Sequence, residues 1–172
     1  KCTMNIEKNK TFQHNYDYLI LGTGLAGLTA AINLASKGRV CLLTKESISE
    51  SNTTYAQGGI AAALLPQDSP KKHHEDTLKA GNFHNDSKAV KILTEEGPTR
   101  VKELIDLGIT FDKKENELHM NQEGAHSHAR VLHHKDYTGY EITSKLIKHI
   151  QTMKQISLVE NIFVTKLIVN NK

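Results

Sequence analysis

Residues 18–38 read YLILGTGLAGLTAAINLASKG, and this stretch decides the fold. Tyr18 to Leu21 are β-formers that run directly into Gly22-x-Gly24-x-x-Gly27. From Leu25 onward apolar residues recur at helical spacing until Gly38 stops them. In a strand, tight turn and helix taken in that order, each glycine has its own duty. The first permits the turn, the second lets the backbone approach a pyrophosphate, and the third lets the helix lie close against the strand. The phosphates then face a helix N-terminus, whose unpaired N–H groups and macrodipole favour anions. Glycines in this pattern also punctuate ordinary loops, but the strand before them and the helix after them are what dinucleotide binding requires. The prediction is a Rossmann-like α/β domain, a parallel sheet with helices on both faces.

Size and composition narrow the class. The 172 residues suffice for one ordinary domain and leave no room for a separate substrate domain. Net charge is +3, from 22 Lys and Arg against 19 Asp and Glu, and the basic residues are spread along the chain. A nucleic-acid surface would cluster them, so none is expected. Cys2 and Cys41 are far apart in sequence, one in a polar tail and one in an apolar strand, which points to neither a disulfide framework nor a metal site. No run reaches transmembrane length and no apolar signal region opens the chain, so a soluble protein of the reducing cytoplasm is expected, without a membrane partner. Residues 1–16 lack apolar periodicity and read as a flexible leader. Lys1 stands where a start Met would be, so the native beginning is expected upstream.

Taken in order, Tyr18–Leu21 is the first strand, fully buried if it is central, and Arg39–Thr44 is the second. A right-handed βαβ crossover places the ends of both strands at one edge of the sheet. There the usual nucleotide pattern has Asp or Glu for the ribose, whereas here Lys45 is followed by Glu46. Either Glu46 binds the ribose one position late, or Lys45 reaches over the adenine or phosphate, or the two form an exposed pair at a strand end. Residues 47–65 combine short hydroxyl and amide side chains with Gly58-Gly59, a composition that can line a pyrophosphate and an isoalloxazine edge and can equally be a surface loop. Residues 73–81 read as a short helix, on which adjacent His73 and His74 share no face and serve as surface or cap residues. Asn85 or Asp86 caps the next helix, which buries Ala89, Val90, Ile92 and Leu93. Gly97-Pro98 interrupts it, and a further helix runs to Gly108. Ile109–Phe111 reads as a strand and Lys113–Glu117 as a charged turn.

The character changes over residues 118–139. Four histidines fall between 126 and 134, beside Glu123, Arg130 and Asp136. Alternation of His126 and His128 with small residues reads as a strand with Arg130 on the same face. A cationic neighbour disfavours a metal ion, so the reading is that imidazole and guanidinium donors bind an anionic substrate or a flavin edge; a solvent-facing polar strand is the alternative. Residues 140–155 form an amphipathic helix with Thr138 as a possible cap and Ile142, Leu146, Ile150 and Met153 on its buried face. Ile156–Glu160 and Phe163–Val169 read as two further β segments.

These motifs carry a resemblance. LGTGLAGL at 21–28, TTYAQGGIAA at 53–62, HEDTLKAG at 74–81 and EGAHSHARVLHHKDYTG at 123–139 resemble the N-terminal part of L-aspartate oxidases. Those enzymes belong to the flavoprotein family that also contains the flavin subunits of succinate dehydrogenase and fumarate reductase. The resemblance runs from about Asp17 to the C-terminus. It implies an FAD-dependent oxidation of L-aspartate to iminoaspartate, with oxygen or fumarate reoxidising the flavin. The product enters quinolinate synthesis and hence NAD biosynthesis, with quinolinate synthase as a candidate partner.

Residue by residue, the resemblance implies that Gly22, Thr23, Gly24, Leu25, Ala26 and Gly27 hold the FAD pyrophosphate. Lys45 matches a family lysine at the end of the second strand. Asn52, Thr53, Thr54, Tyr55, Ala56, Gln57, Gly58 and Gly59 would line the flavin. Asn52 stands where the succinate dehydrogenase branch has a histidine bonded to FAD, so noncovalent FAD is expected. Glu123 matches the carboxylate that faces the substrate amine, and His126 joins it as a catalytic candidate. Departures from the family pattern are Gln122 in place of a basic residue, Ala125 in place of glycine and Ala129 in place of arginine. The acid/base arginine, a capping domain and a C-terminal helical domain are expected outside these residues. The chain alone is therefore expected to bind FAD weakly and to lack oxidase activity. The rival readings are a succinate dehydrogenase or fumarate reductase fragment, a non-catalytic nucleotide-binding fragment, and a metal-dependent hydrolase built on the histidines.

Overall fold

A computed structural model describes residues 2–4 and 14–169. In chain order the elements begin with β1 (Cys2–Met4), β2 (His14–Tyr16), β3 (Tyr18–Leu21), α1 (Leu25–Ala35) and β4 (Val40–Leu43). There follow β5 (Ile60–Ala61), α2 (Pro70–Ala80), α3 (Ser87–Asp106), β6 (Lys113–Lys114), β7 (Glu117–Leu118), β8 (Met120–Asn121) and β9 (Val131–Leu132). The chain closes with α4 (Thr138–Gln151) and β10 (Ile156–Val159). Two compact units divide it, one formed by Lys1–Thr54 with Thr143–Lys172 and the other by Tyr55–Ile142.

In the first unit three parallel strands lie in the order β10-β4-β3, with Tyr18 opposite Val40 and Ile156 also opposite Val40. This is the α/β architecture expected from residues 18–44. The buried central strand, however, is β4 and not β3. Among the described residues β4 is paired on both sides and its four residues are all buried, whereas Tyr18–Leu21 is paired on one side and half-buried, with Leu21 49% exposed. α1 packs on β3 and β4 with Leu28, Ala31 and Ala35 buried. The later part of α4 adds Leu146 and Ile150 to the core. Gly38 turns the chain beside Asp17, whose Oδ2 accepts from Arg39 N at 2.8 Å; a Cβ on Gly38 would fall 2.7 Å from that oxygen.

Two expectations for this unit are corrected. Phe163–Val169 forms no strand: Phe163, Leu167, Ile168 and Val169 are exposed, and no described strand lies alongside to pair with them. Within the leader, Cys2–Met4 pairs antiparallel with His14–Tyr16, which its polar sequence did not foretell; residues 1 and 5–13 lie outside the described residues.

The second unit is built on α2 packed against α3 and on the antiparallel sheet β5-β9-β8. α2 starts earlier than the periodicity indicated because Ser69 caps it, accepting from Lys72 N at 3.2 Å, and Pro70 occupies the first turn. His73, expected at the surface, is 4% exposed. The two helices expected around Gly97-Pro98 are one, running from Ser87 to Asp106 with Asp86 as its cap. Proline disfavours helical geometry in the residue before it largely by clashing with that residue's Cβ, and Gly97 has none. Along this single helix Val90, Thr94, Val101 and Leu104 form the buried stripe, and Ile92 and Leu93 stand off it, 60% and 59% exposed.

Ile109 and Phe111 are buried but form no strand. The charged turn at 113–117 is instead a hairpin of β6 and β7, closed by Glu115 and Asn116 in left-handed conformation, φ +53° and +69°. Residues 126–130 form no strand: Ser127 and His128 make a bend and the rest are irregular. α4 begins at Thr138 and ends at Gln151, with Ile142 buried.

Candidate cofactor and substrate sites

In the first unit the glycine turn has the geometry that a pyrophosphate needs. Gly22 has φ +104°, a left-handed conformation that side chains resist. A Cβ on Gly27 would collide with the Gly22 carbonyl oxygen, so that residue must be glycine for α1 to start where it does. Gly24 is the N-cap of α1 and offers no side chain; the first turn carries no acidic residue. Of the amides opened by the helix start, Leu25 N donates to Thr53 Oγ1 at 3.2 Å, and Leu28 N begins the helical ladder on Gly24 O at 3.0 Å. Ala26 and Gly27 lie between them, in the first turn whose N–H groups lack intrahelical acceptors. The cradle therefore suits an anion. Thr23, expected to take part, has its side chain turned inward: it is 3% exposed and donates to Thr44 Oγ1 at 3.4 Å, which leaves only its backbone for a ligand.

A cleft of about 570 Å³ opens at the carboxyl ends of β3 and β4, the place where open α/β sheets bind ligands. Gly22, Gly24, Lys45, Glu46, Asn52 and Thr53 are among its lining residues. Lys45 and Glu46 approach to 4.0 Å with side chains 70% and 56% exposed. A contact that long and that exposed constrains neither of them, and both residues line the cleft. The loop from Ser47 to Thr54 is held by its own hydroxyls. Ser47 Oγ meets Ser49 Oγ at 3.1 Å, and Thr54 Oγ1 donates to Ser49 O at 2.8 Å. Ile48 N donates to Glu160 Oε1 at 2.6 Å. Most of these hydroxyls shape the loop, and Glu50, Ser51, Asn52 and Thr53 are among the residues that line the cleft, Thr53 with its hydroxyl bonded to the helix start.

The second unit contains Tyr55 to Gly59, Glu123 and His126. Tyr55 is 67% exposed, and Ala56 O accepts from Gly139 N at 2.9 Å. Gly59, φ +84°, lies tight against β9: a Cβ there would be 2.5 Å from Leu132 O and 2.9 Å from His133 Nδ1. Glu123 sits in the turn after β8, and its carboxylate, 46% exposed, has Oε1 3.3 Å from His133 Nε2. His126 N donates to Glu123 O at 3.2 Å, and Gln122 Nε2 donates to His126 O at 2.8 Å, so the turn folds on itself. Ala125, where the family pattern has glycine, takes φ +68°.

Arg130 does not act as a donor to an anionic ligand. It is fully buried and its guanidinium is consumed by two carboxylates: Nε and Nη2 donate to Asp68 Oδ2 and Oδ1 at 2.8 Å each, and Nη1 donates to Asp76 Oδ2 at 2.7 Å. His126 Nδ1 lies 3.2 Å from the same Nη1. Asp76 also accepts from Ser127 N at 2.8 Å and Ser127 Oγ at 2.7 Å. Burial opposes ionisation of Asp76, but the hydrogen bonds from Ser127 and Arg130 outweigh it and bring its carboxyl down to about 2. Asp68 is lowered in the same way, against burial, by Arg130. Burial, with Arg130 next in weight, lowers His73, whose ring lies 5.6 Å from that of His126 and whose Nδ1 has no partner.

The cluster thus ties the turn carrying Glu123 and His126 to α2. Sequence reading missed Asp68 and Asp76. The signal for Asp76 lay in HEDTLKAG, a motif noticed for its likeness and not for a buried partner of Arg130. Among the described residues no group of three or more His, Cys, Asp and Glu is placed to hold a metal ion, and no helix is long and apolar enough to cross a membrane.

A dinucleotide fold with an anion cradle at the first βα turn defines the class, and the FAD binding domain family matches residues 17–172. The chain belongs to that family, whose cofactor is FAD. Among its relatives, the chloroplastic L-aspartate oxidase of Oryza sativa subsp. japonica is 42% identical over 154 residues, 89% of this chain and 24% of that protein. The L-aspartate oxidase of Clostridium acetobutylicum is 42% identical over 153 residues, 88% of this chain and 35% of that protein. Among solved structures, the Mycobacterium smegmatis Sdh1 complex in the apo form aligns with TM-score 0.79 and 31% identity, covering 86% of this chain and 28% of that one. A quinol-fumarate reductase with menaquinol molecules aligns with TM-score 0.86 and 26% identity, covering 91% and 28%. The chain thus spans from about a quarter to a third of the length of these relatives.

Proposed function

We propose that this chain is the cofactor-holding part of an L-aspartate oxidase. The whole protein oxidises L-aspartate to iminoaspartate with oxygen or fumarate as final acceptor, in the cytoplasm, as the first step toward quinolinate and NAD. When bound, FAD supplies the two-electron acceptor for the hydride that leaves Cα of the substrate. The chain's own residues do the rest of the positioning. The start of α1 and Thr53 hold the pyrophosphate, Lys45 and Glu46 address the adenosine end, and residues 52–59 line the flavin. Glu123 faces the substrate ammonium, with His126 beside it in the same turn.

The observation that carries this reading is Glu123, a half-exposed carboxylate on a turn held rigidly by Asp76 and Arg130. An amine-bearing dicarboxylate needs such an anion, and succinate does not. Likeness to succinate dehydrogenase and fumarate reductase structures keeps a flavin subunit of that branch as the second reading; Glu123 and Asn52 weigh against it. The test is to load the whole protein with FAD, precipitate one portion with acid and follow oxidation of L-aspartate and succinate by the other. Flavin released into the supernatant and preference for L-aspartate are expected. Flavin that stays with the pellet, or preference for succinate, would refute the proposal.

A further inference from the structure

Between Gly59 and the carboxylate of Glu123 stands one side chain that the assignments above leave unused, His133. It directly follows β9, which pairs with β5 after Gly59 and with β8 before Glu123, and its carbonyl oxygen accepts from Asp112 N at 2.8 Å. Its backbone is therefore anchored on three sides. The ring is 15% exposed, and Nε2 is buried without a hydrogen bond, 3.3 Å from Glu123 Oε1. On the other side, a Cβ at Gly59 would lie 2.9 Å from Nδ1, so only glycine leaves the ring its seat.

The two partners differ in freedom. The imidazole is enclosed, whereas the Glu123 side chain is 46% exposed and has room to rotate. A small rotation of the carboxylate turns the 3.3 Å approach into an aligned hydrogen bond from Nε2–H. This would satisfy the buried donor and fix an otherwise mobile acceptor at once.

We infer that His133 is a positioning residue that holds the Glu123 carboxylate by donating Nε2–H to it. The inference rests on the reading of Glu123 as the group that faces a substrate amine. It adds that discrimination between amine-bearing and amine-free dicarboxylates depends on a pair, His133 with Glu123, and not on Glu123 alone. Sequence reading counted His133 only as one of a group of histidines, because nothing local marks it as facing Glu123 ten residues earlier.

The experiment compares L-aspartate with fumarate, which has no amine, as ligands of the FAD-loaded whole protein. KM for L-aspartate and the ligand-induced change in flavin absorbance are read for the wild type and for Glu123→Gln, His133→Phe and His133→Gln. Loss of one hydrogen bond to a charged group is worth about tenfold. His133→Phe is expected to weaken L-aspartate by about that factor and to leave fumarate unchanged, and His133→Gln, which keeps a donor near the Nε2 position, to recover most of the loss. If Glu123→Gln leaves L-aspartate affinity intact, the reading of Glu123 itself fails. If Glu123→Gln weakens L-aspartate while His133→Phe does not, or if His133→Phe weakens fumarate equally, the role of His133 is overturned and that of Glu123 stands. A second readout needs no turnover: the ¹⁵N resonance of His133 Nε2 is expected at a protonated-nitrogen position and to move in Glu123→Gln. An unmoved resonance overturns the inference.

Discussion

Replacing Asp76 by Asn tests whether Arg130 is a buried clamp. Arg130 is fully buried and shares its guanidinium between Asp68 and Asp76, and the Asp76 side chain is only 17% exposed. Breaking a buried pair leaves part of a charge uncompensated, at a cost of about 3–5 kcal/mol when the only partner is lost. Because Asp68 keeps its two-pronged contact, the low end of that range is expected. The pH dependence is the sharper signature. The carboxyl of Asp76 falls from 3.8 to about 2 on folding, which at 1.36 kcal/mol per unit corresponds to about 2.5 kcal/mol of stability. A depressed carboxylate stabilises fully above its unfolded value near 4 and loses that contribution as pH falls through about 2. The stability gap between wild type and Asp76→Asn should therefore narrow by about 1 kcal/mol between pH 6 and pH 3 and continue to close below that. Urea unfolding midpoints at pH 6, 4 and 3 give the gap directly. A gap that stays constant over this range would refute the clamp, since it would mean that the Asp76 charge does not stabilise the fold.

Gly27→Ala places a methyl group against the Gly22 carbonyl oxygen and must push α1 off the strand. FAD affinity, followed by flavin fluorescence quenching, should fall by more than about tenfold, or 1.4 kcal/mol, and unchanged binding would remove the first βα turn from the site. Ala125→Gly relieves the left-handed conformation at φ +68°. Left-handed geometry costs a side-chain-bearing residue about 1–2 kcal/mol, part of which glycine's freedom in the unfolded chain takes back. A net gain of up to about 1 kcal/mol is expected in the thermal transition, and destabilisation would mean that the Ala125 methyl group packs against something the turn needs.

The local sequence determined the first βαβ unit. Residues 18–44 combine apolar runs, glycines at positions with a steric requirement and a helical repeat, and those signals act over distances the chain itself spans. The glycine turn was legible for the same reason, since Gly22 is required by its left-handed conformation and Gly27 by its approach to the Gly22 carbonyl oxygen, both within the same turn. Which strand lies at the centre was not legible, because that depends on β10, more than a hundred residues after β4, pairing along its free edge. The continuous α3 was misjudged because Pro98 was read without the relief that Gly97 gives it. Arg130 was misjudged for a different reason. A guanidinium near histidines reads as a ligand donor until Asp68 and Asp76, 62 and 54 residues away, are seen to consume it. Likewise Glu123 could be matched by likeness, but its neighbour His133 is set by the pairing of β8 with β9. Sequence alone determined what short-range sterics and periodicity control. Tertiary structure decided which charges are spent on holding the fold and which stay free for chemistry, because pairing between distant segments leaves no periodic trace in the chain.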